Sequence, residues 1–383
     1  MTKEVYITRL AAFLPLEPVG NDRMEDVLGQ IGGRRSRAKS VILRSNGIKS
    51  RHYVIDPETG KPRYNNAQLT AEAVRRLTGD GFSLDQLQLL ACGTSSPDQL
   101  MPSHASMVHG ELKCPPCEIA GASGICVSGM TAFKYAYMAV RADLVRNAVA
   151  TGSEVASTYM AARNFEKESE AKLQELESRG ELAFEKDFLR WMLSDGAAAV
   201  LLQDTPNADG LSLRVDWVEQ MSFANELEVC MYSGGDKRED GSLQGWREYE
   251  NAEDWLKQSV FAVKQDVRLL NDNIIATTVE RGLSLVRERR GIRPDDYDYF
   301  LPHYSSGYFR DRVYQGMKNI DFDLPQERWF TNLTSKGNTG SASIFIMLEE
   351  LFASGQLRKG QRLLCYIPES GRFSVAYMQL TVV

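Results

Sequence analysis

The chain has 383 residues, with 45 Lys plus Arg against 51 Asp plus Glu, giving a formal net charge of −6. It is 43% hydrophobic and 25% charged, enough to bury a core spread over two or three structural units. This balance argues against broad nucleic-acid binding, which needs a basic face to offset phosphate charge. No run approaches the roughly 18 apolar residues that cross a bilayer, and the opening MTKEVYITRLAAFLPLEP lacks the basic start and long apolar centre of a signal peptide. A cytoplasmic protein with no membrane partner is expected.

In chain order, Val5 to Leu10 reads as a first strand before a Pro-containing turn. Residues 21–65, rich in Arg, Lys, Asn and Gly, read as helices and loops laid over a core. An amphipathic helix follows at 68–78 and a short buried strand at Leu87 to Cys92. The pattern then gives a helix at 127–143, strands at 145–151 and 197–202, and a charged insertion at about 160–190 between those two strands. That insertion reads as a solvated helix pair or as a lid or interface element. Helix 273–290, strand Tyr299 to Leu301, helix 341–354 and strands 363–367 and 374–382 complete the chain. Strands alternating with helices predict an α/β fold with a largely parallel core. A turn–helix–strand–strand order occurs in both parts, predicting two similar halves, residues 1–210 and 211–383.

Cysteines stand at 92, 114, 117, 126, 230 and 365, too few for a disulfide scaffold. Cys114 and Cys117 form a CPPC. No second CxxC lies nearby, and His104 and His109, five apart, share no helix face well, so ordinary loop cysteines and no metal are expected. A thioredoxin-like redox pair is no better supported, because the segment opens no helix. Nor does GASG at 121–124 make a dinucleotide fingerprint, since it lacks a partner acidic residue.

Three segments carry candidate chemistry. In GASGICVSGMTAFKYAYMAV (121–140), Cys126 sits where a small-residue turn becomes a helix. Helix N-terminal amides would lower its thiol pKa and make a nucleophile; a buried cysteine acting as a small hydrophobe is the alternative. In DYDYFLPHYSSGYF (296–309), His303 ends an apolar strand, where α/β proteins place their sites, or is a core histidine satisfied by a backbone carbonyl. In TNLTSKGNTGSASIFIMLEEL (331–351), Asn338 either caps a helix or orients a histidine or donates to an oxyanion. Glu154, Asp195 and Glu369 are polar residues beside strand ends or turns, and Asp195 before Gly196 reads as turn-forming.

Taken together, the order and spacing of these segments resemble the thiolase-fold condensing enzymes, specifically the β-ketoacyl-acyl-carrier-protein synthase III-like group, over nearly the whole chain. RSNGIKSRHY (44–53), ACGTSSPDQLMPSHAS (91–106), TGSEV (151–155) and LSDGAAAVLL (193–202) add to the likeness. The resemblance implies a thiolase-like fold, two similar α/β halves forming a five-layered α-β-α-β-α core, with Cys126, His303 and Asn338 as the catalytic set. Cys126 would carry an acyl group from an acyl-carrier-protein or coenzyme A thioester. His303 and Asn338 would stabilise the enolate of a malonyl or β-keto thioester, which forms the carbon–carbon bond.

The resemblance further implies an oxyanion donor in the 369–373 loop (Ser370 or Gly371), tunnel positions at Met101, Ser306 and Phe373, and a carrier or coenzyme A entrance at Arg44 and Arg51. Arg34, Arg35, Arg37, Lys39 and Arg51 could meet an acidic carrier, or form a solvated basic loop. It implies a homodimer and no metal or organic cofactor; Met101 either reaches into the neighbouring subunit or is a buried methionine in its own. Three departures point to a specialised relative, such as ketosynthases making dialkylresorcinols or cyclohexanediones: Ser306 replaces an asparagine, PESGRFS (368–374) replaces a glycine-rich loop, and the insertion is long. The alternatives are an acyltransferase to an oxygen or nitrogen nucleophile, and a catalytically silent partner in a heterodimeric synthase.

Overall fold

In the computed structural model, which describes residues 2–36, 38–79, 81–166 and 188–383, nine strands form one mixed sheet. They are β1 (Tyr6–Phe13), β2 (Leu89–Thr94), β3 (Glu118–Ser123), β4 (Asn147–Glu154), β5 (Gly196–Gln203), β6 (Leu213–Ser222), β7 (Tyr299–Pro302), β8 (Arg362–Glu369) and β9 (Ser374–Val382). The order across the sheet is β7-β8-β9-β6-β1-β5-β4-β2-β3. The helices that matter for the site are α1 (Asn66–Arg75), α2 (His104–Leu112), α3 (Val127–Arg141), α4 (Val267–Ile275), α5 (Gly282–Arg290), α6 (Arg310–Asn319) and α7 (Ser343–Ala353). A π-helical turn, Ala276–Arg281, joins α4 to α5. That helical run begins at Val267, earlier than its periodicity suggests, because the Asp266 side chain accepts the Leu269 N–H and caps it.

The layers follow from side-chain alternation. In β2, Leu89 and Ala91 face one core while Leu90 and Cys92 face another. In β5, Ala198, Val200 and Leu202 join the first core, and Ala197, Ala199 and Leu201 the second. In β8, Leu363, Cys365 and Ile367 belong to that same first core, whereas Leu364 and Tyr366 point into a third. The shared core holds α3 and α7, so these two helices lie between the halves of the sheet. The second core packs α1 and α2 outside β1–β5, and the third packs α4, α5 and α6 outside β6–β9. The result is the α-β-α-β-α layering.

The central layer is tight. A Cβ on Gly129 of α3 would lie 2.4 Å from the Ser341 carbonyl oxygen, and one on Gly152 of β4 2.3 Å from the same atom. Glycine is therefore required where the turn leading into α7 meets α3 and β4. Phe133 of α3 and Phe345 of α7, both fully buried, pack with ring centroids 5.8 Å apart, each burial worth about 1.5–3 kcal/mol.

One expectation is corrected. The core is not largely parallel: β2/β3, β2/β4 and β7/β8 are parallel, while β1/β5, β1/β6, β4/β5, β6/β9 and β8/β9 are antiparallel. The physical reason is the connections. A parallel pair needs a crossover, whereas β8 returns to β9 through a short turn that only an antiparallel pair can use. The sheet is continuous across β1 and β6, where Tyr6 and Ile7 pair with Arg214 and Leu213. Residues 167–187, most of the insertion read as a lid or interface element, lie outside the described residues, as does Arg37.

Candidate active site

Cys126 occupies the N-cap position of α3, directly after the turn that ends β3. The turn is held by the Ser128 hydroxyl, which donates to the Ile125 carbonyl at 2.7 Å. His303 follows Pro302 at the end of β7, its backbone N–H donating to the Tyr366 carbonyl at 2.8 Å. Asn338 lies in the turn before α7. Its Oδ1 accepts the Gly340 N–H at 2.9 Å, which leaves the side-chain NH2 as the group able to donate. The structure brings all three to the wall of one cavity of about 280 Å3. Leu189, Met192, Leu193, Ile274, Ile275 and Val313 give that cavity an apolar side, suited to a hydrocarbon chain.

The electrostatics differ from the expectation of an acidified thiol. Burial, then the nearby Glu369 and Glu154 carboxylates, push the Cys126 thiol well above its ordinary value. The reason is local. Glu369 Oε2 accepts the Ile125 N–H at 3.1 Å and the Val127 N–H at 2.9 Å. The anion position at the start of α3 is thus filled by the chain's own carboxylate, and the helix terminus no longer favours a thiolate. Glu369 is itself raised by burial, and the two amides it accepts only partly oppose this. Burial lowers His303 to about 4, so its ring is neutral near pH 7.

Glu154, which also lines the cavity, is buried against Ser95 and Ser96, whose hydroxyls donate at 2.6 and 2.7 Å. Asp195 is more than a turn residue: it accepts the Val54 N–H at 2.6 Å and the Ser157 N–H at 2.8 Å. It thereby pins the loop at Val54 to the short helix Ala156–Met160 beside the site.

The other expected positions divide. Ser370 lines the cavity and its hydroxyl accepts from Gln265 Nε2 at 2.9 Å. Gly371 packs on Ile125, where an added Cβ would lie 2.9 Å from Ile125 Cδ1. Ser306 is not on the cavity wall; it caps the short helix Gly307–Phe309, and Tyr304 and Ser305 line the cavity instead. Phe373, at a positive φ of 56°, is fully buried in the third core, away from the wall. Met101 is 82% exposed and does not line this chain's cavity. Arg51 is no surface entrance: fully buried, it donates to Asn21 Oδ1 at 2.5 Å and to the Trp191 carbonyl. Arg44, in the last turn of helix Lys39–Asn46, is exposed. The cavity residue that the sequence signals least is Tyr159, on a short helix after β4.

The layering is that of the thiolase-like fold, and the chain is similar to condensing enzymes of the β-ketoacyl-acyl-carrier-protein synthase III type. Residues 287–367 match the family model described as 3-oxoacyl-[acyl-carrier-protein] synthase III C terminal. Over 368 residues, 95% of each chain, the protein is 23% identical to a β-ketoacyl-[acyl-carrier-protein] synthase III of Xanthomonas campestris. A Clostridium perfringens protein of the same name is 23% identical over 92% of this chain and 91% of its own. Among solved structures, AbyA1, a tetronic acid condensing enzyme, superposes with a TM-score of 0.74 at 20% identity, over 98% of this chain and 99% of its own. Xanthomonas campestris OleA with bound lauric acid and lauroyl-CoA gives 0.72 at 18% identity over all of both chains.

Proposed function

We propose that the chain joins an acyl or β-ketoacyl group carried on Cys126 to a second β-ketoacyl thioester, in specialised metabolism of the dialkylresorcinol or cyclohexanedione type. The observation that carries this reading is the single cavity on which Cys126, His303 and Asn338 converge. In the first step the Cys126 sulfur attacks an acyl-carrier-protein or coenzyme A thioester. The carrier leaves as its thiol, taking the proton that Cys126 gives up. The Cys126 N–H and the 369–373 loop face the oxyanion.

In the second step a β-ketoacyl thioester loses its α-proton to the Glu369 carboxylate. The neutral His303 N–H and the Asn338 NH2 hold the enolate oxygen. The enolate carbon attacks the Cys126 thioester carbonyl, the carbon–sulfur bond breaks, and the thiolate recovers the proton from Glu369. Glu369 does not line the cavity but holds the Ile125 and Val127 amides on either side of Cys126, and this position beside the nucleophile supports proton removal as the source of the enolate.

A homodimer accompanies this reading. β3 is the outermost strand of the sheet, its Glu118, Ile119, Gly121 and Ser123 are exposed, and Leu100 and Met101 are 68% and 82% exposed. An open edge of this kind is ordinarily covered, here by the same strand of a second copy; light scattering showing only monomer-sized particles contradicts it. A cytoplasmic setting accompanies it too: no described helix is long and apolar enough to cross a membrane, and the six cysteines are free thiols.

The test is product identity. The protein is supplied with labelled acyl and β-ketoacyl thioesters, with malonyl thioester, and with alcohol and amine acceptors. A ketone formed from two β-ketoacyl units without carbon dioxide is expected. Product only with malonyl thioester, or only with an alcohol or amine, overturns the reading in favour of decarboxylative condensation or simple acyl transfer. No turnover and no acylation of Cys126 would mean a silent partner.

A further inference from the structure

Away from the cavity, the chain reverses direction between α2 and β3. Lys113, at φ 54° and ψ 28°, closes the C-terminus of α2 in the left-handed conformation, its N–H donating to the His109 carbonyl at 3.1 Å. Pro115 and Pro116 stiffen the next residues by fixing φ. Glu118 then enters the sheet, its N–H donating to the Gln88 carbonyl at 2.9 Å. The reversal folds CPPC back beneath the last turn of α2, where His109 stands. One ligand atom each from His109, Cys114 and Cys117 lie within 4.8 Å of one another, and all three residues are half-buried.

The geometry points to a divalent metal site at His109, Cys114 and Cys117, of the kind that takes Zn(II). Two thiolates and one imidazole are a borderline-soft donor set suited to zinc. At zinc–sulfur distances of about 2.3 Å and zinc–nitrogen distances of about 2.0 Å, tetrahedral ligand atoms sit roughly 3.5–4 Å apart. The three atoms therefore close around an ion by small side-chain rotations. Among the described residues no fourth His, Cys, Asp or Glu joins them, so the fourth position falls to water.

The surroundings favour a cation over a redox couple. The pair follows the negative end of α2 rather than opening a helix, which opposes isolated thiolates and attracts positive charge. The ring nitrogen Nε2 of His109 lies 3.2 Å from the Pro115 carbonyl, a contact that orients the imidazole as outer partners do in metal sites. The consequence of occupancy is mechanical: α2 and the start of the exposed edge strand β3 are clamped together.

The experiment is Co(II) and Zn(II) titration of the reduced, metal-stripped full chain, with metal content measured after gel filtration. One equivalent of Co(II) with a sulfur-to-cobalt charge-transfer band, displaced by Zn(II), is expected. The band should vanish in the Cys114→Ser/Cys117→Ser double variant, weaken in His109→Ala and persist in Cys126→Ala. Absence of stoichiometric metal, a band that survives the double variant, or a band that vanishes in Cys126→Ala overturns the proposal. Circular dichroism of the double variant, unchanged from the parent, ensures that lost binding is not lost folding.

Discussion

Replacing Glu369 by Gln separates the two halves of the proposed reaction. Gln is nearly isosteric, and its amide oxygen can still accept the Ile125 and Val127 N–H groups that Glu369 Oε2 holds at 3.1 and 2.9 Å. Two charge-assisted bonds become neutral ones, a loss of about 1 kcal/mol each, partly offset because a charge is no longer buried. The protein should therefore fold with a modest stability change. Its chemistry should change more. The negative charge that helps push the Cys126 thiol upward is gone, so thiolate forms at lower pH and the alkaline rise of the acylation rate moves down the pH scale. The carboxylate proposed to take the α-proton is gone too, and condensation should fall by about 10²–10⁴, the ordinary worth of a general base. The assay measures carrier thiol release for acylation, then single-turnover condensation of pre-acylated enzyme. Loss of both steps in equal proportion, or condensation at the parental rate, refutes the assignment.

Three other predictions follow from the same geometry. His303→Ala should leave acylation of Cys126 measurable while abolishing condensation, read by rapid quench; equal loss of both contradicts the division of roles. Gly129→Ala forces a Cβ to within 2.4 Å of the Ser341 carbonyl and should lower stability by roughly 1–3 kcal/mol, measured by urea unfolding; an unchanged midpoint argues against the tight central layer. Burial raises Asp195 from 3.8 to about 7, so the folded state binds its proton more tightly than the unfolded chain. That group's contribution to stability is fullest below about 4 and is lost as pH rises through about 7. The melting temperature of the parent relative to Asp195→Asn should accordingly fall between pH 4 and pH 8, and a difference that widens over that range contradicts the shift.

How far the sequence carries is clearest at individual residues. Strand cores were readable because alternation within β2, β5 and β8 sends neighbouring side chains to different layers, and every such strand is an apolar run. Cys126, His303 and Asn338 were readable because each stands where a turn meets an element, which is visible locally. What escaped depends on contacts between distant residues. Glu369 meets the Cys126 turn across 244 positions and reverses the expected direction of the thiol shift. Asp195 reads as turn-forming, yet its partners Val54 and Ser157 come from a distant loop and a short helix. Arg51 sits in a polar stretch that suggests a surface, although Asn21 and the Trp191 carbonyl draw it inside. The His109–Cys114–Cys117 cluster hinges on a left-handed residue at Lys113, a conformation that lysine does not advertise.

In the proposed reaction the Cys126 sulfur carries the acyl group on the same cavity wall as His303 and Asn338. Peptide mass spectrometry after brief exposure to an acyl thioester tests it most directly. One acyl group is expected on Cys126, absent from Cys126→Ala, and discharged on addition of a β-ketoacyl thioester with formation of the joined ketone. An acyl group on another residue, or one on Cys126 that no carbon nucleophile removes, contradicts it.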